Sequence, residues 1–139
     1  MDKRKELMYD LEKTMQYTFR GIRKGINEML GDEVNSSEFL ILKHLYQNGT
    51  QKVSTISNEL RVTSSHITSI GDSLVKKLLV TRERSLEDRR VVEIVLTKKG
   101  NTLIEELNLK KTNYLFSTFD NLSDLELKEL IHLFNKFNL

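Results

Sequence analysis

Apolar residues recur at steps of four and three from Leu7 through Leu11, Met15, Phe19, Ile22 and Ile26 to Leu30. That is one unbroken stripe on a helix running from about Lys3 to Leu30, and Gly31 supplies a stop. Helices in globular domains average about 11 to 12 residues, so this stripe is long for the chain that carries it. Met8 and Tyr17 widen it. A second subunit is the simplest extra surface for it to cover; the plain alternative is a long helix lying over its own domain.

The next helix has its start written in the sequence. Asn35 can cap it, Glu38 three residues on can close a capping box, and Phe39, Leu42 and Leu45 face inward until Asn48-Gly49 ends it. After a short extended Lys52-Val53, Ser54 can cap a brief helix with Ile56 and Leu60 inside. Residues Arg61 to Thr63 make a tight connection, Thr63 or Ser64 caps the following helix, and Ile67, Ile70, Leu74 and Leu78 form its inner face. Two short helices joined by about three residues, the second amphipathic, form a helix-turn-helix pattern.

The period then changes. Val80 to Ser85 and Val91 to Thr97 read as short strands, with Val92, Ile94 and Leu96 alternating against Val91, Glu93 and Val95. Leu86 to Arg90 is a polar tip between them, so a two-stranded hairpin follows the helix-turn-helix as a wing. Thr97 can cap a helix whose apolar residues include Leu103, Ile104, Leu107, Tyr114, Leu115, Phe116 and Phe119. Ser123 and Glu126 make a capping box for a last helix with Leu127, Leu130, Ile131, Phe134 and Phe137. Both closing helices have apolar faces broader than a monomer needs. The fold expected is mainly α with a small β-hairpin wing.

Composition narrows the chemistry. The 139 residues fit a single domain, and 38% hydrophobic with 30% charged residues is a globular balance. The absence of cysteine excludes a disulfide scaffold, a thiolate zinc site, a cysteine nucleophile and a thiol redox sensor. No proline interrupts the helical stretches. The start lacks the apolar core of a signal peptide and no apolar run is long enough to span a bilayer, so the expectation is a cytoplasmic protein with no membrane association.

The formal charge of +2 hides an uneven distribution. Residues 1–49 carry eight basic and eight acidic side chains, residues 50–100 carry ten and six, and residues 101–139 carry four and six. The middle third is therefore basic, which fits a surface that meets phosphate and equally a solvated face.

At Asp88-Arg89-Arg90-Val91-Val92-Glu93-Ile94-Val95-Leu96-Thr97-Lys98-Lys99-Gly100 the sequence resembles the wing of the MarR family of winged helix-turn-helix regulators, whose pattern is Asp, any residue, Arg, five residues, Leu-Thr, two residues, Gly. Every fixed position is met. The resemblance extends to the whole chain and implies a winged helix-turn-helix part over residues 35–100, with residues 3–30 and 101–138 as dimerisation helices of one domain spanning 1–139. It also implies a homodimer on double-stranded DNA, most often as a repressor, and release by a small aromatic or phenolic effector. The crevice for that ligand would lie between the first helix, the second and the helix beginning after Thr97, where Tyr17, Phe39 and Tyr46 are candidates equally well explained as core. In two places the chain departs from the pattern. Arg61 and Leu79 stand where the family often has glycine, and the recognition helix has no cation before Lys76.

Recognition helices read base edges near their N-terminus, which places Ser64, Ser65, His66, Thr68 and Ser69 at the major groove, followed by Asp72 and Ser73. Hydroxyls discriminate bases less than a bidentate arginine, so modest selectivity is expected. Arg90 matches the family's minor-groove arginine, and Asp88 resembles the carboxylate that supports it. Arg84 and Arg89 are expected phosphate contacts, with Arg61, Lys76, Lys77 and Arg82 as weaker ones. No cofactor or metal is expected: His44, His66 and His132 lie far apart, Ser65 and His66 are neighbours that point apart on a helix, and the glycines form no phosphate loop. An enzyme is not expected. The competing reading is a helical protein-interaction module with a winged fold that no longer binds DNA.

Overall fold

The computed structural model describes residues 2–139. Local capping chemistry sets most element boundaries. Asp2 accepts the Arg4 N–H at the start of α1 (Lys3–Leu30), and Gly31 ends that helix at φ 63°. Asn35 and Glu38 form the reciprocal capping box of α2 (Ser36–Asn48), which Gly49 closes at φ 77°. Thr63 caps α4 (Ser64–Lys76), Thr97 caps α5 (Lys98–Phe119), and Ser123 with Glu126 boxes α6 (Asp124–Asn135).

Between α2 and α4 the chain forms a two-residue strand β1 (Gln51–Lys52) and α3 (Val53–Leu60). Here the expected cap is displaced: Lys52 occupies the N-cap position without a side-chain bond, and Ser54 lies inside the helix. The hairpin comprises β2 (Val80–Arg84) and β3 (Val92–Leu96), paired antiparallel from Val80 opposite Leu96 to Arg84 opposite Val92. It is not the isolated two-stranded unit expected. Gln51 and Lys52 pair with Ile94 and Glu93, giving a three-stranded antiparallel sheet in the order β1-β3-β2.

The core lies where α2, α4, α5 and β3 meet, and includes Phe39, Ile41, Leu42, Leu45, Ile56, Ile67, Leu74, Ile94, Ile104 and Leu107. Leu78 is not in it. The backbone after α4 turns at Leu78 with φ 63°, which leaves that side chain exposed and buries Leu79 instead. Arg61 likewise takes φ 56° at the end of α3. The left-handed positions that favour glycine are therefore Arg61 and Leu78, and the expected Leu79 is one residue too late.

Two polar clusters tie the helices together. Glu38, buried on α2, accepts from the Asn35 N–H (2.9 Å), the Ser73 hydroxyl on α4 (2.7 Å) and the Lys77 ammonium (2.8 Å). Burial alone would raise its carboxyl pKa; Lys77, the Asn35 amide and Ser73 outweigh that and hold it below the ordinary value. On the other side of α2, His44 Nε2 lies 2.9 Å from Glu59 Oε2 of α3, out of line for a hydrogen bond.

The start of α5 is docked on the turn that follows α4. Thr97 donates through its N–H to the Leu79 carbonyl (3.1 Å) and through Oγ1 to the Leu78 carbonyl (2.7 Å). At Gly100 an added Cβ would stand 2.0 Å from the Leu79 oxygen, so only glycine permits this approach. Elsewhere α5 crosses α1 at another glycine: the Tyr114 ring occupies the space a Cβ on Gly25 would take.

The N-terminal turns of α1 and all of α6 lie outside this core. Leu7 is 61% exposed and Leu11 50%, no residue of α6 is buried, and Ile131 and Leu133 are more than half exposed. No described helix is long and apolar enough to cross a membrane.

Candidate nucleic-acid interface

The first two turns of α4 carry Ser64, Ser65, His66, Thr68 and Ser69, all exposed, on a helix whose inner face is held by Ile67, Gly71 and Leu74. Thr63 accepts the His66 N–H, which leaves the other N-terminal amides of the helix directed outward. Ser73 does not continue this exposed row, turning inward to Glu38 instead, while Asp72 is exposed and pairs with Arg82.

On the wing, Asp88 accepts three bonds from one residue. Arg90 donates its backbone N–H (3.0 Å) and Nε (3.1 Å) to Oδ1 and its Nη2 (3.1 Å) to Oδ2. These bonds from the Arg90 side chain and backbone lower the Asp88 pKa below its ordinary value. The rest of the guanidinium stays in solvent, with the Arg90 side chain 90% exposed. A carboxylate that grips an arginine by both backbone and side chain orders it at little loss of outward charge.

Arg84 spends one guanidinium nitrogen on the Arg89 carbonyl (2.8 Å), so it braces the tip as well as adding charge there, while Arg89 is exposed. Arg82 and Lys77 are committed within the protein. Arg82 bonds the Thr68 carbonyl and Asp72, and Lys77 bonds Glu38 and the Glu33 carbonyl, so neither is a free cation. Lys76 and Arg61 remain exposed.

A cavity of about 450 Å³ joins the two parts of the face, with Ser54, Ser64, Thr68, Arg82 and Arg90 around it. The recognition-helix hydroxyls and the wing arginine thus open onto one space, whereas Ser65, His66 and Ser69 lie outside its lining. Ser54, expected only as a cap, is part of this wall. The effector candidates are not gathered in the same way: Phe39 is buried under Lys111, Tyr46 donates to Glu105 (3.2 Å), and Tyr17 is 80% exposed on α1. Among the described residues no group of three metal-ligating side chains is assembled.

A helix-turn-helix, a three-stranded sheet with an arginine-bearing tip and long flanking helices recur together in known proteins. A sequence model of the MarR family matches residues 34–92. The HTH-type transcriptional regulator YpoP of Bacillus subtilis is 43% identical over 138 residues, covering 99% of this chain and 98% of that one. The chain belongs to the MarR family. The HTH-type transcriptional repressor MdtR of Bacillus subtilis is 27% identical over 129 residues, 92% of this chain and 83% of its own. A solved MarR family protein from Bacillus stearothermophilus superimposes with a TM-score of 0.80 at 27% identity, covering 98% of this chain and 94% of that one. As a MarR family protein the chain is a DNA-binding transcriptional regulator.

Proposed function

We propose that this MarR family chain acts as a homodimer that represses transcription from a pseudo-palindromic site. Each protomer places the N-terminal turns of α4 in a major groove and Arg90 in the flanking minor groove. The observation that carries the reading is the shared cavity: Ser64 and Thr68 face the same space as an arginine pre-ordered by Asp88. Ser64, Ser65, His66, Thr68 and Ser69 read base edges, Arg84 and Arg89 strengthen the phosphate field, and Asp88 holds Arg90. Half-sites lie about one helical turn apart, ~34 Å.

The unpartnered apolar faces of α1 and α6 support a dimer built from residues 3–30 and 101–138, around the DNA-binding part at 35–100. The name of MdtR supports repression. A small aromatic or phenolic effector between α1, α2 and the start of α5 completes the proposal, with Tyr17 and Tyr46 as the exposed rings available to it.

The test is a titration of the intact protein against the tightest duplex it selects from a randomised pool and against a mixed-sequence duplex, each at several salt concentrations. Tighter binding to the selected duplex, with affinity falling steeply as salt rises, is expected. No binding at low salt overturns the reading in favour of a winged fold that serves only for protein docking.

A further inference from the structure

The wing and the recognition helix are joined by one side chain. Arg82 projects from β2 onto α4, where its Nη2 donates to the Thr68 carbonyl at 2.7 Å and its Nη1 lies 2.5 Å from Asp72 Oδ1. Gly71 lies beneath the fork. An added Cβ there would stand 2.9 Å from Arg82 Nη2, so the missing side chain is what lets the guanidinium lie against the helix.

Asp72 cancels much of the charge that Arg82 brings to this face. What Arg82 adds is a fixed separation. On one side of it, α4 carries Ser64 and Thr68; on the other, β2 runs through the tip to Arg90, and all four residues border the same cavity. Two reading elements can enter two grooves of one duplex only at a set spacing, and a planar fork with acceptors at both ends holds such a spacing better than a flexible ammonium.

We propose that Arg82 is a positioning residue, anchored by Asp72 and the Thr68 carbonyl over Gly71, that sets the wing against the recognition helix so that both engage one DNA site. Selectivity then depends on a contact that touches no base. This rests on the DNA-binding reading above and adds a coupling between its two halves.

The rival role for Arg82 is a plain phosphate cation, and the two roles predict opposite signs at Asp72. Asp72→Asn removes a negative charge from the DNA-facing surface. If Arg82 is a phosphate contact, the change frees it and tightens binding to every duplex. If Arg82 positions the wing, binding to the duplex selected by the wild-type protein weakens about fivefold, while binding to a mixed-sequence duplex is unchanged or tighter.

A second readout uses the wing arginine. In an Arg90→Ala background, Arg82→Ala is expected to leave the salt slope unchanged, whereas a lost phosphate contact lowers it by about 0.9. Gly71→Ala keeps and improves helix propensity while displacing the guanidinium, and is expected to reproduce the loss on the selected duplex without loss of folding. Equal or tighter binding of Asp72→Asn to the selected duplex, or a reduced slope in the double variant, overturns the proposal while leaving the DNA-binding reading intact. Failure of the wild-type protein to bind any duplex overturns both.

Discussion

Asp88 holds Arg90 by its backbone amide and by both Nε and Nη2, so the wing arginine is ordered before any DNA arrives. The carboxylate gains nothing from solvent exclusion here; its three bonds all come from the residue it orders.

Arg90→Ala is therefore expected to weaken binding to the selected duplex by about tenfold or more and to reduce the salt slope by about 0.9 per protomer. Thermal unfolding should be unchanged, because the side chain is almost wholly in solvent. Asp88→Asn keeps the arginine but loosens its grip, and an intermediate affinity is expected in the same titration. The depressed pKa of Asp88 also fixes a pH window: wing order persists through the neutral range and is lost only as pH falls below the ordinary carboxylate value.

Much of this architecture was legible because caps are local. The Asn35–Glu38 and Ser123–Glu126 boxes each need only four residues, and both helices begin where that pattern places them. The Asp88–Arg90 relation was legible only through the resemblance of this stretch to the MarR wing. Long-range relations left no such mark. Gln51–Lys52 is too short to show alternation and becomes a strand only through β3; Arg82 finds its partners ten and fourteen residues away; and Ser73 faces inward because Glu38 is there to meet it.

Glu38 supports stability through the same logic of burial. Its carboxylate is 1% exposed and bonded by three residues, so Glu38→Ala, which strands Lys77 and Ser73, is expected to cost about 3 kcal/mol in denaturant unfolding. Since the folded pKa is lowered, the contribution is complete above the ordinary glutamate value and is lost as pH falls through the folded one. The wild-type protein should lose melting temperature as pH falls below the ordinary glutamate value, and Glu38→Gln should show a shallower decline there.

Leu78 takes a left-handed backbone with its side chain 67% exposed, so it contributes strain and little packing. Leu78→Gly relieves a conformation worth about 1 to 2 kcal/mol, opposed by the greater freedom of glycine in the unfolded chain. A net gain of about 0.5 kcal/mol or more is expected by equilibrium unfolding, and a loss would show that the Leu78 side chain is covered in the functional assembly.

Phe134 on α6 and Phe137 just beyond its end are stacked edge to face at 5.6 Å, and both remain partly exposed. Phe134→Glu should convert the proposed dimer to monomer in sedimentation velocity and reduce affinity for a two-half-site duplex far more than for a single half-site. A dimer that survives this change places its interface elsewhere.

Gly100 and Thr97 clamp the first turn of α5 to the Leu78 and Leu79 carbonyls, in the turn that follows α4. The short turn after the recognition helix is thereby tied to a rod of 22 residues, about 33 Å long. In a dimer that rod is a lever: tilting it by about 10° swings its far end by about 6 Å relative to its base, nearly two base-pair rises of ~3.4 Å. Gearing of this kind lets a modest shift among the outer helices put both reading heads out of step with the groove.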